Sequence, residues 1–319
     1  MRHEAAVRKG ATRLQLKVEP EPATGRLGQM LDRRWSGLVT VGFAYVIALL
    51  VASTTVGLLV SWHPLARVAA ADFAATVVVF VFSRAFDNTS VYDPYWSVAP
   101  VPIAAFLAFE VATQPIGARG VVVLALVLAY GTRLTWNWIR GWGGLSHEDW
   151  RYVGLRTTTG GLYWVVSFFG LHLFPTVVVY LGCLPLYPAL VTSSSPVGPL
   201  DALATAVTLG AIIIEAVADD QLRAFRSAGP SEGAICHSGL WQYSRHPNYF
   251  GEISFWVGLF LFGLASQGPW WIGAGVPAMV ALFLGTSIPM AERRSLRRRP
   301  HYAEHQRRVS KLLPWFPQR

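Results

Sequence analysis

The stretch Gly239-Leu-Trp-Gln-Tyr-Ser-Arg-His-Pro-Asn-Tyr-Phe-Gly-Glu252 sits between apolar runs, yet packs Arg245, His246, Asn248, Tyr249 and Glu252 into eight residues. His246-Pro247 ends any preceding helix, because the residue before a proline is pushed out of the α region. Pro247 can open a new helix, since its missing N–H would be unpaired there anyway. The sequence therefore predicts a polar loop ending at His246 and a helix from about Pro247, with Asn248, Glu252 and Phe255 on one face. A helix start dense with hydrogen-bonding groups suits a phosphate or a nucleotide. An interfacial turn anchored by Trp241, Tyr243 and Tyr249 explains the same residues equally well.

Other ionisable residues fall near or inside apolar runs, where charge is expensive and functional roles concentrate. Glu215, Asp219, Arg223 and Arg226 follow at helical spacing and share a face. They form either a cradle with forked donors for phosphate or a self-satisfied ladder pairing Asp219 with Arg223. Tyr130 and Arg133 lie a turn apart near the end of another apolar run, where Arg133 could also simply snorkel to the surface. Asp93 precedes Pro94 in an aromatic segment, a place that also suits a helix cap. The segment His147-Glu-Asp-Trp150 is weak as a metal site, and the two cysteines, Cys183 and Cys236, have neither disulfide nor metal spacing.

These residues need a scaffold, and the composition says which. Of 319 residues 53% are hydrophobic and only 14% charged, against about 25% charged in soluble domains. The chain is expected to be an all-α integral membrane protein. Apolar runs 37–60, 68–82, 98–113, 120–138, 162–190, 200–218, 252–265 and 270–290 give about eight transmembrane helices, within a range of seven to nine. All Lys and Arg except Arg67 and Arg119 then fall on one side, which places both termini in the cytoplasm. The same clustering explains the net charge of +9 without nucleic acid as a partner. Residues 1–36 read as a basic, disordered cytoplasmic tail, 37–64 as an extra N-terminal span, and 65–319 as the main membrane domain with a basic tail suited to anionic membrane lipids.

The 239–252 stretch resembles the signature of the steroid 5-alpha-reductase C-terminal superfamily, closest to its bacterial branch, domain of unknown function 1295. Tyr92-Asp-Pro-Tyr-Trp-Ser-Val-Ala-Pro100, Arg133-Leu, Glu-Asp-Trp-Arg-Tyr152 and Pro300-His-Tyr-x-x-His with Leu-Leu-Pro-Trp-Phe316 fit that branch, and the likeness covers roughly residues 65–319. It implies an NADPH-dependent membrane reductase, in a bacterial cell membrane, of a carbon–carbon double bond conjugated to a carbonyl. The substrate would be a steroid-like or other lipid entering from the bilayer. Carried over by position, the carboxylate and tyrosine that polarise the carbonyl fall on Asp93 and Tyr130. Asp stands where steroid reductases have Glu. Cofactor contacts fall on Arg133, Glu215, Asp219, Arg223, Arg226, Arg245, His246, Asn248, Tyr249 and Glu252, with Glu215 where the family has Asn. Isoprenylcysteine-type methyltransferases, which use S-adenosylmethionine, share an Arg-His-Pro-x-Tyr motif and are the rival. A non-catalytic lipid-binding protein on the same scaffold is another.

Overall fold

The computed structural model describes all residues except 1–22, 113–114, 193–194 and 319, and the side chains of 23–32 are also outside the description. Most of the expected N-terminal tail thus lies outside the described residues, although a helix already runs from Ala23, inside the stretch assigned to that tail. Among the described residues there is helix and no strand. That is what hydrocarbon imposes: backbone polar groups have no water to turn to, so each apolar segment satisfies them internally.

The helices are α1 (Ala23–Leu58), α2 (Pro64–Ala85), α3 (Thr89–Val98), α4 (Pro100–Val111), α5 (Ala118–Gly141), α6 (Trp150–Thr192), α7 (Pro199–Ser227), α8 (Pro247–Ala265), α9 (Trp270–Arg298) and α10 (Tyr302–Arg308). Among the described residues seven are long and apolar enough to cross a membrane, or eight if α3 and α4, bent by 42°, are one broken span. The bend falls at Pro100, which has no N–H to continue the ladder. Two places expected to be loop are helical. Thr89–Val98 is wound into α3, and Trp150–Thr159, inside the expected 140–159 loop, forms the first turns of α6. At 43 residues α6 is far longer than the roughly 20 needed to span, so those polar turns extend beyond the apolar core. Wide π-helical turns at Ser167–Leu173 and Phe283–Ser287 precede Pro175 and Pro289, absorbing the clash each proline makes with the turn before it.

The charges sort by end of the bundle. At the end holding the start of α5, Arg119 is buried and grips Asp201 of α7 twice, at 2.6 and 2.8 Å, while reaching the carbonyls of Ser195, Pro196 and Ala265. The opposite end carries α10 and all the other site residues. Between them the helices meet through small residues, as they do where lipid supplies no hydrophobic drive. Gly275 backs onto Gly182, whose other flank receives Trp256. Gly251 abuts Glu215 and Gly258 abuts Thr208, so two glycines seven apart seat α8 on α7. Helix α1 is the least enclosed, with Val39, Phe43, Val46 and Leu50 facing outward.

A side chain at Gly258 would overlap Thr208 Oγ1, whereas Gly42 on α1 has open space around it. Gly258→Leu should therefore destabilise the protein by about 1–3 kcal/mol or more through overpacking, and Gly42→Ala should be near neutral. Thermal unfolding in detergent of the two variants side by side checks this.

Candidate functional site

Helix α8 starts where the sequence predicts, at Pro247, with His246 as the flanking residue. Its first two turns deliver Asn248 and Glu252 toward α5 and α7. Tyr130, fully buried on α5, donates its hydroxyl to Glu252 Oε1 at 2.6 Å, and Trp256, one turn further along α8, donates Nε1–H to the same oxygen at 2.9 Å. Phe255 stacks on the Tyr130 ring, with centroids 3.7 Å apart. The phenol is thus held on its face and at its hydroxyl.

One turn beyond Tyr130, Arg133 turns inward rather than snorkelling. Nη1 pairs with Asp219 Oδ2 at 3.0 Å and Nη2 approaches Glu215 Oε2 at 2.7 Å. The second contact is an ion pair without hydrogen-bond geometry, since both atoms lack a well-directed partner. Asn137, one turn further, donates to Asp219 Oδ2 at 2.9 Å and accepts from Arg223, while Asn248 reaches Asp219 Oδ1 at 3.4 Å. The expected Asp219–Arg223 ladder is therefore replaced by cross-helix contacts from α5 and α8. The result is a continuous polar network of three carboxyls (Glu252, Glu215, Asp219), two guanidiniums (Arg133, Arg223) and two amides, closed on its inner side by the Tyr130 phenol. The side chains of Arg133, Glu215 and Asp219 are 15%, 6% and 12% exposed. Two cavities lie elsewhere, one lined by Trp150 and arginines of α9, the other by Phe80, Arg84 and Trp164.

Several expected site residues are employed otherwise. Arg245 is a brace: Nε pairs with Glu292 Oε1 at 2.7 Å, and Nη1 donates to the carbonyls of Gln306 and Val309. His246 Nε2 lies 3.3 Å from the same Glu292 oxygen, and its ring stacks on Tyr249. Together with Ser244 Oγ to the Leu312 carbonyl and Trp315 N–H to the Tyr243 carbonyl, these bonds clamp the C-terminal segment over the start of α8. In that clamp, burial first and the adjacent Arg245 second hold the His305 imidazole below its usual range. Arg226 has Arg299, Arg223 and Asp219 among the charged groups around it.

Asp93 shares no hydrogen bond with Tyr130 among the described residues. It accepts the Tyr152 hydroxyl at 2.6 Å instead. Nor does it cap α3, whose start is capped by Asn88 accepting Ser90 N–H at 2.8 Å. The His147–Asp149 segment docks on that same helix start: Glu148 accepts Thr89 N–H at 2.8 Å, and Asp149 caps α6 through Arg151 N–H.

Three residues escape the sequence reading. Asn137 follows Arg133 at one-turn spacing, and Trp256 follows Glu252 likewise, so helical periodicity alone could have flagged both. Asp72 is a carboxylate in the middle of α2, itself a warning sign. It is buried and accepts the Tyr95 hydroxyl on Oδ1 at 2.6 Å, with Oδ2 left without a partner. Beside it, the hydroxyl of Tyr92 and those of Thr76 and Thr176 form a second web at 2.7 Å contacts.

The match of a family model over residues 79–309 places this membrane bundle in the steroid 5-alpha-reductase-like superfamily. Within it, the chain belongs to the family described as "Protein of unknown function (DUF1295)", which matches residues 79–309. It is similar to an uncharacterized protein of Schizosaccharomyces pombe (strain 972 / ATCC 24843), C594.04c, at 27% identity over 253 residues, covering 71% of this chain and 73% of that protein. No solved structure matches the chain.

Removing Arg133 as Arg133→Leu strands Glu215 and Asp219 without their cation. Breaking such a buried pair costs about 3–5 kcal/mol, which chemical or thermal unfolding in detergent should register, with Arg133→Lys losing less. Arg245→Ala should free the C-terminal segment, so that limited proteolysis cuts within residues 299–318 far faster than in the parent protein while the spans stay protected.

Proposed function

We propose that the protein is a membrane-embedded reductase that uses NADPH to saturate a carbon–carbon double bond conjugated to a carbonyl in a steroid-like or other lipid. Superfamily membership supports this reading. The observation that carries it is the buried Tyr130–Glu252 pair beside the Arg133–Glu215–Asp219 ion-pair network at one end of the bundle. The network fits an anionic nucleotide because Arg133 Nε and Arg223 Nε are buried donors with nothing to bond. Arg133 and Arg223 would take phosphate oxygens, and Asn137, Asn248, Asp219 and Glu215 would take amide or ribose groups. Bound there, the dinucleotide would supply hydride.

The residues of the chain do the rest. Tyr130 has one hydroxyl proton, and Glu252 now holds it. For Tyr130 to polarise a substrate carbonyl, that proton must turn to the carbonyl oxygen while Glu252, carrying a proton of its own, donates to the phenol oxygen. Three carboxyls facing two guanidiniums leave room for one such proton without adding net charge to a buried site. The stacked Phe255 ring fixes the phenol plane and, with Trp256, keeps water away from the developing negative oxygen. Asp93, bonded to Tyr152 on the neighbouring helix pair, belongs to the edge of this site as a positioning group rather than as the partner of Tyr130. The lipid would enter sideways from the bilayer.

Purified protein in detergent should be stabilised by NADPH. A ligand at about a hundredfold its dissociation constant adds roughly 2.7 kcal/mol, well within reach of a thermal shift. Arg223→Ala and Asn248→Ala should abolish the shift. Tyr130→Phe should keep the shift but lower reduction of an enone lipid by about a hundredfold to a thousandfold, the effect of losing one donor to a developing oxyanion. Stabilisation by S-adenosylmethionine alone would replace this reading with methyl transfer.

A further inference from the structure

The last two turns of α9 hold Arg293, Arg294, Arg297 and Arg298, spaced so that they fall on one side of the helix. With Trp150 and Met290 they line a cavity of about 340 Å³. Arg294 lies flat over the Trp150 ring, 4.2 Å from its centroid. Among the described residues none of the four makes an ion pair. Around Arg294 the nearest charges are mostly of its own sign: Arg298, Arg226 and Arg299. The one acidic neighbour, Asp149, is already committed to Arg151 at 2.8 Å and to capping α6.

Guanidiniums do not crowd together without cause. Each adds repulsion to the folded state, and a protein that keeps several around a concave wall has placed a site for an anion there. Planar forks match the oxygens of phosphate two at a time, which lysines would not do. The remaining wall is apolar, Met290 and the Trp150 ring, and belongs to the end of a membrane-spanning helix. A ligand with a phosphate and an adjoining apolar or glyceryl edge would satisfy both. The volume is about ten times the share of one water in the liquid, enough for a headgroup-sized molecule.

We infer that the Trp150–Arg294–Arg298 cavity is a binding site for a phosphate-bearing anion at the membrane surface, separate from the Tyr130–Arg133 network and independent of what that network catalyses. Two sources supply this chemistry: an anionic phospholipid headgroup and the phosphate of a soluble nucleotide.

The test uses the full-length protein and its Arg294→Gln/Arg297→Gln variant in a zwitterionic detergent, with thermal midpoints read against added dioleoylphosphatidylglycerol, dioleoylphosphatidylcholine and 2′,5′-adenosine diphosphate. The parent should be stabilised by a phosphate-bearing probe, with affinity at least about tenfold weaker per guanidinium removed, since a hydrogen bond to a charged group contributes roughly 1.5–3 kcal/mol. A response to phosphatidylglycerol and not to phosphatidylcholine assigns the site to a lipid headgroup. A response to 2′,5′-adenosine diphosphate that the variant loses assigns it to a nucleotide phosphate. The ligand-free midpoint of the variant should hold or rise, because repulsion has been removed. If neither probe acts, or if both act equally on parent and variant, or if the bare variant melts lower, the arginines are not an anion site. The NADPH shift expected above does not enter this comparison, so either inference can fail alone.

Discussion

An unpaired charge inside hydrocarbon costs several kcal/mol, and Arg133 is the group that prevents it where α5 meets the carboxyls of α7. It sits on α5 between carboxyls that arrive from α7, and Asn137, a turn below, ties one of those carboxyls again. Without a cation at that depth, Glu215 and Asp219 could not coexist with the Glu252 carboxyl. With it, three helices are drawn into one register. The glycines at 251 and 258 then permit the close approach of α8 to α7 that brings Asn248 within reach of Asp219. Widening that gap would lengthen the Asn248–Asp219 contact while leaving the α5–α7 ion pairs in place.

Much of this was legible in the sequence because hydrocarbon makes charge conspicuous. Tyr130, Arg133, Glu215, Asp219, Arg223, Asn248 and Glu252 stand out against apolar surroundings, and the structure does bring them together. The start of α8 was legible for a local reason, the conformational rule at His246-Pro247. What the sequence did not reveal were partners far apart in the chain. Arg245 and His246 share a motif with Asn248 and Glu252, yet their backbone sits before the helix and faces the C-terminal segment, so they bond Glu292, Gln306 and Val309. The resemblance set Asp93 beside Tyr130 at a substrate carbonyl, and in the structure Asp93 accepts the Tyr152 hydroxyl. Spacing along a sequence does not say which carboxyl a phenol meets across a helix interface, and Glu252 took that place. Asp72 was passed over because one carboxylate in an otherwise largely apolar run, 68–82, was absorbed into a span.

Among the described residues a short tyrosine–carboxyl pairing, at 2.6 Å, occurs as Tyr130 with Glu252, Tyr152 with Asp93 and Tyr95 with Asp72, and a longer one joins Tyr163 to Glu148 at 3.3 Å. A phenol is well suited to that task in a membrane. It supplies a strong donor on a largely apolar ring, so the carboxyl is satisfied without importing a second charge. The three short pairs differ in what else surrounds them. The first stands beside the Arg133 ion pairs with Glu215 and Asp219, the second has the Arg151 guanidinium 5.4 Å from the Tyr152 ring centroid, and the third leaves Asp72 Oδ2 without a hydrogen-bond partner.

The C-terminal clamp has a temporal side. Helix α8 brings Asn248 and Glu252 to the network, but the groups that hold its first residue in place lie 61 to 68 positions further along the chain. During synthesis α8 and α9 must enter the bilayer before the Gln306, Val309 and Leu312 carbonyls exist to receive Arg245 and Ser244. The polar network therefore assembles from the membrane side first and is locked from the aqueous side last. A nascent chain has its spans in place while its chemical centre is still unfastened, and the closing segment acts as a seal on a finished product.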